Sequence, residues 1–121
     1  MRTILVIDDS ATMRQIVSFC LKGAGYGVVA VSDAAEVLSK LKTEKIDLVI
    51  TDLNMPNVDG ITLTKLIRAQ PGSKYTPVLL LTTESSPERK AQGQAAGATG
   101  WLVKPFEPDQ LLKVVKRVLP G

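Results

Sequence analysis

The segment Thr3–Asp9, with the sequence TILVIDD, places five strand-forming residues directly before two acids. Four other segments share its apolar, β-branched character: Gly27–Val31, Ile46–Ile50, Pro77–Leu81 and Thr99–Val103. Continuous apolar runs of this length are typical of parallel strands, because helices cover both faces of a parallel sheet. We therefore predict five strands at these positions.

The segments between the predicted strands carry apolar residues at helical spacing, as in Val37–Leu41. The sequence DAAE at Asp33–Glu36 predicts a capping box, and Ser86-Pro87 predicts an N-cap followed by a proline in the first turn. The helix that starts there, predicted over Pro87–Ala96, has Gly93 in its middle, where glycine costs about 1 kcal/mol relative to alanine. We expect it to be the least stable helix.

Five strands alternating with helices in 121 residues predict one α/β domain over residues 1–121. Right-handed crossovers then favour a doubly wound, five-stranded parallel sheet with five helices. We expect a flavodoxin-like strand order, by analogy with that fold rather than by derivation. The composition agrees, since 45% of the residues are apolar and 22% are charged, as in an ordinary globular protein.

The residue counts exclude several classes of function. The chain has no histidine, which rules out Ser-His-Asp and Cys-His catalysis and histidine metal sites. Its one cysteine, Cys20, rules out an internal disulfide and a structural zinc site, and it fits a reducing, cytoplasmic setting. The net charge of +3 comes from scattered lysines and arginines with few aromatic residues, so we expect no nucleic-acid partner. We expect no membrane insertion either, because every apolar run is short and the N-terminus lacks a signal-peptide pattern.

The second predicted strand ends unremarkably in Ser32-Asp33, whereas the other four are followed by polar residues that could carry chemistry. They are Asp8-Asp9 after the first, Thr51-Asp52 after the third, Thr82-Thr83-Glu84 after the fourth and Lys104-Pro105 after the fifth. Because the carboxyl ends of parallel strands meet at one edge of the sheet, where open α/β folds bind ligands, we expect these side chains to converge.

A purely structural interpretation exists for single residues of this set. Aspartate and serine after a strand often cap the next helix, which would account for Asp9, Ser10 and Asp33. The cluster as a whole argues against it, because two like charges about 4 Å apart cost roughly 4 kcal/mol at an effective dielectric constant of 20. Such a cluster needs a proton or a cation. Lys104 can neutralise one carboxylate, and oxygen ligation by the others suits Mg²⁺, which would in turn attract phosphate.

Four motifs in this order occur together in a known family. They are VIDDS at Val6–Ser10, ITDLNMP at Ile50–Pro56 followed by Asp59-Gly60, LTTE at Leu81–Glu84 and KPF at Lys104–Phe106. Over essentially all of its length, the chain resembles the receiver domains of two-component response regulators, most closely the stand-alone chemotaxis regulators of the CheY type. The resemblance implies a CheY-like fold and a phosphoacceptor signalling protein that is not an enzyme with a separate substrate.

The resemblance also implies a role for each acid. Asp52 is the phosphoacceptor, and it receives the phosphoryl group from a histidine of a partner kinase. The Mg²⁺ ion is held by Asp8, Asp9, Asp52 and the backbone carbonyl of Asn54. Carboxylates that form aspartyl phosphates are a known kind of covalent catalysis, which agrees with the chemistry of the acid cluster.

Three further positions match residues that respond to phosphorylation in the family. Thr82 and Lys104 are expected to bind phosphoryl oxygens, and the Lys104-Pro105 peptide bond is expected to be cis. Thr82 and the weak fourth helix should then move toward the phosphoryl group, while Trp101 on the last strand changes rotamer. Trp101 is also a plausible core residue, and the two roles are compatible.

The chain departs from the family's common pattern at two positions that affect output. The aromatic switch residue is more often tyrosine or phenylalanine, and Trp101 is larger and has no hydroxyl group. Thr83 is bulkier than the small residue often found there. Asn54 and Glu84 occupy the positions that tune dephosphorylation, together with Thr83, and this pair resembles that of chemotaxis regulators.

The partners implied by the resemblance are a histidine kinase, CheA-like in a chemotaxis pathway, and a downstream target bound by the fourth helix, fifth strand and fifth helix. The flagellar motor switch is one candidate target, and a phosphatase is a further candidate partner. We expect no effector domain after Pro120-Gly121, and therefore no direct transcriptional control.

Rival functions on the same fold meet specific obstacles. A phosphatase of the haloacid-dehalogenase type needs a second aspartate two positions after its nucleophile, where this chain has Asn54. A flavodoxin needs a glycine- and hydroxyl-rich loop after its first strand, where this chain has two acids. A pseudo-receiver that binds partners without phosphate, and a single-domain phosphorelay intermediary, remain as alternatives.

Overall fold

A computed structural model describes residues 2–56, 58–83 and 86–119. Strands and helices alternate along the chain: β1 Thr3–Ile7, α1 Ala11–Gly23, β2 Gly27–Val31, α2 Ala34–Thr43, β3 Leu48–Asp52, α3 Gly60–Ala69, a 3₁₀ turn Pro71–Ser73, β4 Val78–Thr82, α4 Pro87–Ala96, β5 Gly100–Val103 and α5 Pro108–Val118.

The five strands form one parallel sheet with the order β2-β1-β3-β4-β5. Helices α1 and α5 pack on one face of the sheet, where Val17 and Val115 are fully buried. Helices α2, α3 and α4 pack on the other face, around Val37, Leu63 and Ala96. This arrangement confirms the predicted doubly wound, flavodoxin-like fold. Within the described part of the chain, no helix is both long and apolar enough to cross a bilayer.

The third strand lies two residues later than predicted, beginning at Leu48 and ending at Asp52. Its start is set by Asp47, whose backbone N–H donates to the Thr3 carbonyl and whose carboxylate accepts from the Thr3 N–H, both at 2.8 Å. Its end is set by pairing with β4, which brings Asp52 opposite Leu81. The phosphoacceptor candidate is therefore the last residue of a central strand.

Helix caps cluster at the carboxyl edge of the sheet. The side chains of Ser10, Asp33, Asp59 and Ser86 each accept a hydrogen bond from a backbone N–H in the first turn of the next helix. The capping box predicted for α2 is only half formed, because the Glu36 carboxylate accepts from the Ser32 hydroxyl instead of reaching back to the cap.

Arg68 fixes the far end of α4. Its guanidinium donates to the carbonyls of Ser73 and Thr76 and, at 2.8 Å, to the carbonyl of Gly97, the C-cap of α4. Gly97 has a φ of 105°, a left-handed conformation that favours glycine. The C-terminal end of α4 is thus tied to α3 and the 3₁₀ turn.

Gly60, the first residue of α3, lies directly against the end of β3. A Cβ atom at this position would be 2.6 Å from the carbonyl oxygen of Asp52 and 3.0 Å from the Cα of Leu53. Both neighbours are backbone atoms, so they cannot move aside as a flexible side chain would. The absence of a side chain at Gly60 lets α3 begin immediately beside Asp52.

We expect Gly60→Ala to lower the free energy of unfolding by about 1–3 kcal/mol, the usual cost of overpacking. Urea denaturation at neutral pH measures the change. Gly23→Ala is the matched control, because Gly23 also belongs to a helix and a Cβ there would meet nothing within 4 Å. The control should keep or raise the stability by up to about 1 kcal/mol. Equal unfolding midpoints for the two variants would contradict the close approach at Gly60.

Candidate functional site

Three aspartates converge where β1 and β3 end. Asp8 and Asp9 follow β1, Asp52 ends β3, and one carboxylate oxygen from each lies within 4.8 Å of the others. Asp8 and Asp52 are buried, with 3% and 7% of their surfaces exposed, whereas Asp9 is exposed. The predicted convergence of these acids is therefore present, and Asp9 is the member that faces solvent.

Lys104 reaches the two buried acids from the end of β5. Its Nζ atom is 3.1 Å from Asp52 Oδ1 and 3.3 Å from Asp8 Oδ2. The backbone N–H of Lys104 donates to the carbonyl of Thr82, which extends the β4–β5 ladder past the last strand residue. The Lys104–Pro105 peptide bond is cis.

Asp8 accepts hydrogen bonds from the N-cap residue of α1, Ser10, and from Arg14 near the start of that helix. The Ser10 N–H donates to Asp8 Oδ1 at 2.9 Å, and the Arg14 guanidinium donates to the Asp8 carbonyl at 2.6 Å. With Lys104 on its other oxygen, the Asp8 side chain has both oxygens engaged. Asp9 has no such restraint in the contacts of the described residues, so its carboxylate is the more available of the two.

Burial raises the pKa of the Asp52 carboxyl group above its ordinary value. The ammonium of Lys104 opposes this effect, and the negative charge of Asp8 adds to it. A backbone hydrogen bond with Asn54 also lowers the pKa, but the net direction is upward. Asp52 is therefore a carboxylate whose negative charge is only partly compensated.

The charge balance and the donor atoms of the cluster fit a divalent cation. Three carboxylates face one ammonium group, which leaves a local excess of two negative charges when all are ionised. Hard cations such as Mg²⁺ take oxygen ligands and keep several water molecules, so an open cluster with one exposed carboxylate suits them. The residues present fit the ion that the sequence predicts.

The remaining predicted residues lie around this cluster at different depths. Thr82 is fully buried at the end of β4, next to β3 in the sheet, whereas Asn54 and Thr83 are exposed in the following loops. Trp101 is not part of the cluster: it is half-buried on β5, opposite Leu80, and packs with the apolar residues on the α4 side of the sheet. Glu84 lies outside the described residues.

Sequence reasoning missed some of the residues that shape the site. Arg14 lies six positions after Asp8 within a helix, and no local pattern links it to the strand end. Met55 and Pro56 line a cavity of about 80 Å³ together with Asp9. Met55 and Pro56 belong to a motif that carried the family resemblance. The amino-acid sequence alone did not show that they lie beside Asp9.

We expect Asp52→Asn to raise the free energy of unfolding at pH 7 without Mg²⁺. A raised pKa in the folded protein means that the ionised form is less favourable there than in the unfolded chain. The penalty is complete above the folded pKa and vanishes below the ordinary value of 3.8, where both states are protonated. Urea midpoints across this pH range should therefore show a gain at neutral pH that disappears in acid.

Asp109→Asn is the control for this measurement, because Asp109 is an exposed acid in the first turn of α5. Its removal should not raise the midpoint, since a negative charge near a helix N-terminus is favourable. A gain that is the same for both variants, or one that is independent of pH, would refute the origin assigned to the Asp52 effect.

Comparisons with known proteins agree on one family. The sequence profile of the family described as Response regulator receiver domain matches residues 4–116. Chemotaxis protein CheY-3 of Vibrio cholerae is 38% identical over 116 residues, which cover 95% of this chain and 89% of that protein. The chain spans only 17% of a sensor kinase/phosphatase, CqsS of Vibrio cholerae, and 48% of a transcriptional regulatory protein, PhoP of Bacillus subtilis, at 39% and 36% identity.

The similar solved structures include members of the same family. The structure of Vibrio cholerae chemotaxis protein CheY4 has a TM-score of 0.94 and 49% sequence identity, and the match covers 98% of both chains. The receiver domain of the sensor histidine kinase PA1611 from Pseudomonas aeruginosa has a TM-score of 0.90 at 25% identity over 99% of this chain and 98% of that one, and it contains a magnesium ion coordinated in its active-site cleft. The chain therefore belongs to the response regulator receiver domains of two-component signalling.

Proposed function

We propose that this chain is a phosphorylation-dependent signalling switch in which Asp52 accepts a phosphoryl group from a histidine of a partner kinase. The observation that carries the proposal is the cluster of three carboxylates within 4.8 Å, with one lysine reaching the two that are buried. An oxygen of ionised Asp52 attacks phosphorus, the new O–P bond forms, and the N–P bond to the partner's imidazole breaks. The imidazole nitrogen keeps the electron pair and takes up a proton.

The proposed metal ligands are Asp8, Asp9, Asp52 and the backbone carbonyl of Asn54. Bound Mg²⁺ would offset the negative charge that accumulates when a phosphoryl group approaches three carboxylates. The protein's own part is positioning: Ser10 and Arg14 hold Asp8, while Gly60 and the end of β3 hold Asp52.

The proposed conformational response to phosphorylation begins at Lys104 and Thr82. Phosphorylation changes the charge on Asp52 from −1 to about −2 and adds acceptor oxygens. Lys104, already 3.1 Å from Asp52, would pair with one of these oxygens, and the Thr82 hydroxyl would bind another. Trp101 would then change rotamer, and the surface formed by α4, β5 and α5 would bind its target in the altered form.

The proposed lifetime of the phosphorylated state depends on the residues that border the site. Thr83 and Asn54 are exposed beside the cluster, where they can limit or guide the approach of water, and Glu84 is assigned to the same role by resemblance. The chain would catalyse only its own phosphorylation and dephosphorylation, without a separate substrate.

We assign this switch to bacterial chemotaxis. Two chemotaxis proteins match it over nearly their whole lengths, at 38% and 49% identity, whereas the sensor kinase and the transcriptional regulator match only in part. A CheA-like kinase would be the phosphodonor, and the flagellar motor switch is the proposed target, with a phosphatase as a further partner. The protein would act in the cytoplasm. A phosphorelay intermediary or a pseudo-receiver is the alternative.

An intact-mass time course with acetyl phosphate tests the phosphoacceptor. We expect a Mg²⁺-dependent gain of one phosphoryl group that is lost in Asp52→Ala, because this variant lacks the proposed acceptor. Asp33→Asn is the control: Asp33 caps α2 on the same edge of the sheet, and asparagine caps equally well. It should gain phosphate like the wild type. The absence of any gain would favour the pseudo-receiver, and a gain in Asp52→Ala would move the acceptor elsewhere.

Lys104→Ala should separate phosphorylation from output. In the presence of Mg²⁺ we expect this variant to accept phosphate but to lose the change in Trp101 fluorescence, because the ammonium group that would follow the new phosphoryl oxygens is missing. Lys42→Ala, which removes an exposed lysine from α2, should keep the fluorescence change. A normal Trp101 response in Lys104→Ala would refute the signalling role of Lys104.

A further inference from the structure

Gly93 is a buried residue of α4 that lies against the indole ring of Trp101. A Cβ atom at Gly93 would be 3.2 Å from Trp101 Cζ3 and 3.5 Å from Cε3. It would also be 3.0 Å from Leu80 Cδ1. Leu80 and the outer edge of the indole together crowd the space that a side chain at position 93 would need. This contact explains why a helix former as poor as glycine stands in the middle of α4.

The indole is held in this position by shape rather than by a polar bond. Trp101 Nε1 is buried and has no hydrogen-bond partner among residues 2–56, 58–83 and 86–119. A buried N–H group without an acceptor is unfavourable, so the packed position lacks the anchor that buried tryptophans usually have. The ring is then restrained by packing alone, in which Gly93 takes part together with the apolar residues on the α4 side of the sheet.

The contact between Gly93 and Trp101 belongs to a series of close contacts that extends to Asp52, the proposed phosphoacceptor. Leu80 lies between two glycines: its Cδ1 faces Gly93, and its Cδ2 is 3.0 Å from the position of a Cβ at Gly60. Gly60 in turn touches the carbonyl of Asp52. Closely packed side chains transmit displacements to one another, because protein interiors contain few voids.

We propose that Gly93 is a positioning residue that acts through Trp101. Because it has no side chain, Gly93 leaves room for the large Trp101 ring beside α4 in the unphosphorylated protein, and a larger residue at position 93 displaces the ring from this position. The link between the packing of Trp101 against Gly93 and phosphorylation rests on the function proposed above. The size match of Gly93 and Trp101 holds in the unphosphorylated protein whether or not Asp52 is the acceptor.

Thermal unfolding tests the size match, because Gly93→Ala should change the melting temperature differently in two backgrounds, with and without the Trp101 ring. In the wild type, Gly93→Ala should lower the melting temperature by about 3–8 °C, as expected for a steric conflict in a domain of this size. In a Trp101→Val background, where the ring is absent, the same substitution should leave it unchanged or raise it, since alanine favours the helix. The same loss in both backgrounds would overturn the proposal.

Fluorescence tests the position of the ring directly, because Trp101 is the only tryptophan of the chain. Without phosphate, acrylamide quenching of Gly93→Ala should rise toward the value measured for the protein in urea. Gly23→Ala, the helical glycine with open space around it, should be quenched like the wild type. A reduction in stability alone would not expose the ring in a protein that is still folded. Unchanged quenching in folded Gly93→Ala would overturn the proposal.

Phosphorylation separates the two proposals. With Mg²⁺ and acetyl phosphate, quenching should change in the wild type but much less in Gly93→Ala, whose ring is already displaced. Asp52→Asn combined with Gly93→Ala should keep the displaced ring without any phosphate uptake. If the wild type gains no phosphoryl mass, the proposed function fails, while the stability and quenching results still decide the role of Gly93. A full phosphorylation response in Gly93→Ala would overturn that role.

Discussion

The ammonium group of Lys104 lies between two buried carboxylates, and the geometry of the whole site depends on this contact. Asp8 and Asp52 leave strands β1 and β3 side by side, where their charges repel each other. In the strand order of this sheet, β4 separates β5 from β3, so the long lysine side chain has to cross a neighbouring strand to reach them. One positive charge holds the acids together but does not balance them, and the remaining negative charge is what makes the edge of the sheet receptive to a cation.

Much of the fold and most of the site could be predicted from the sequence, because both depend on local patterns. The apolar runs locate five parallel strands, and the shared direction of those strands is enough to predict that Asp8, Asp9 and Lys104 meet at one edge with the acid that ends β3. The strand order came from analogy, since crossover rules limit the possible topologies without choosing one. One error was the half-formed capping box of α2. The others were short shifts at strand ends, such as the start of β3, where a contact between Asp47 and Thr3 decides where the ladder begins.

The packing of a helix against the strands beneath it could not be predicted residue by residue, because no periodicity encodes these contacts. Gly93 stands out in the sequence as a defect of α4, but the side chains that crowd it, Leu80 and Trp101, belong to β4 and β5. Gly60 stands out as part of a motif, but the carbonyl oxygen that excludes a side chain there belongs to Asp52. In both cases atoms of a neighbouring strand limit the space for a side chain. A glycine that is unfavourable for its own helix is therefore favoured by the packing between elements.

The attachment of Gly97 to Arg68 has a mechanical consequence for α4. The guanidinium fixes the C-terminal end of this helix, whereas the first turn is joined to α3 by a long ion pair, with 3.9 Å between Arg89 and Asp59. Because partly exposed ion pairs of this kind contribute little, a rigid rotation of α4 would have its fulcrum at Gly97. Ten residues make it about 15 Å long. A rotation of about 4° about the fulcrum would carry the first turn through about 1 Å, given the rise per residue of an α-helix. With such a rotation, the hydrogen bond from Arg68 to Gly97 would turn a small adjustment of the packing near the fulcrum into a larger displacement at the opposite end.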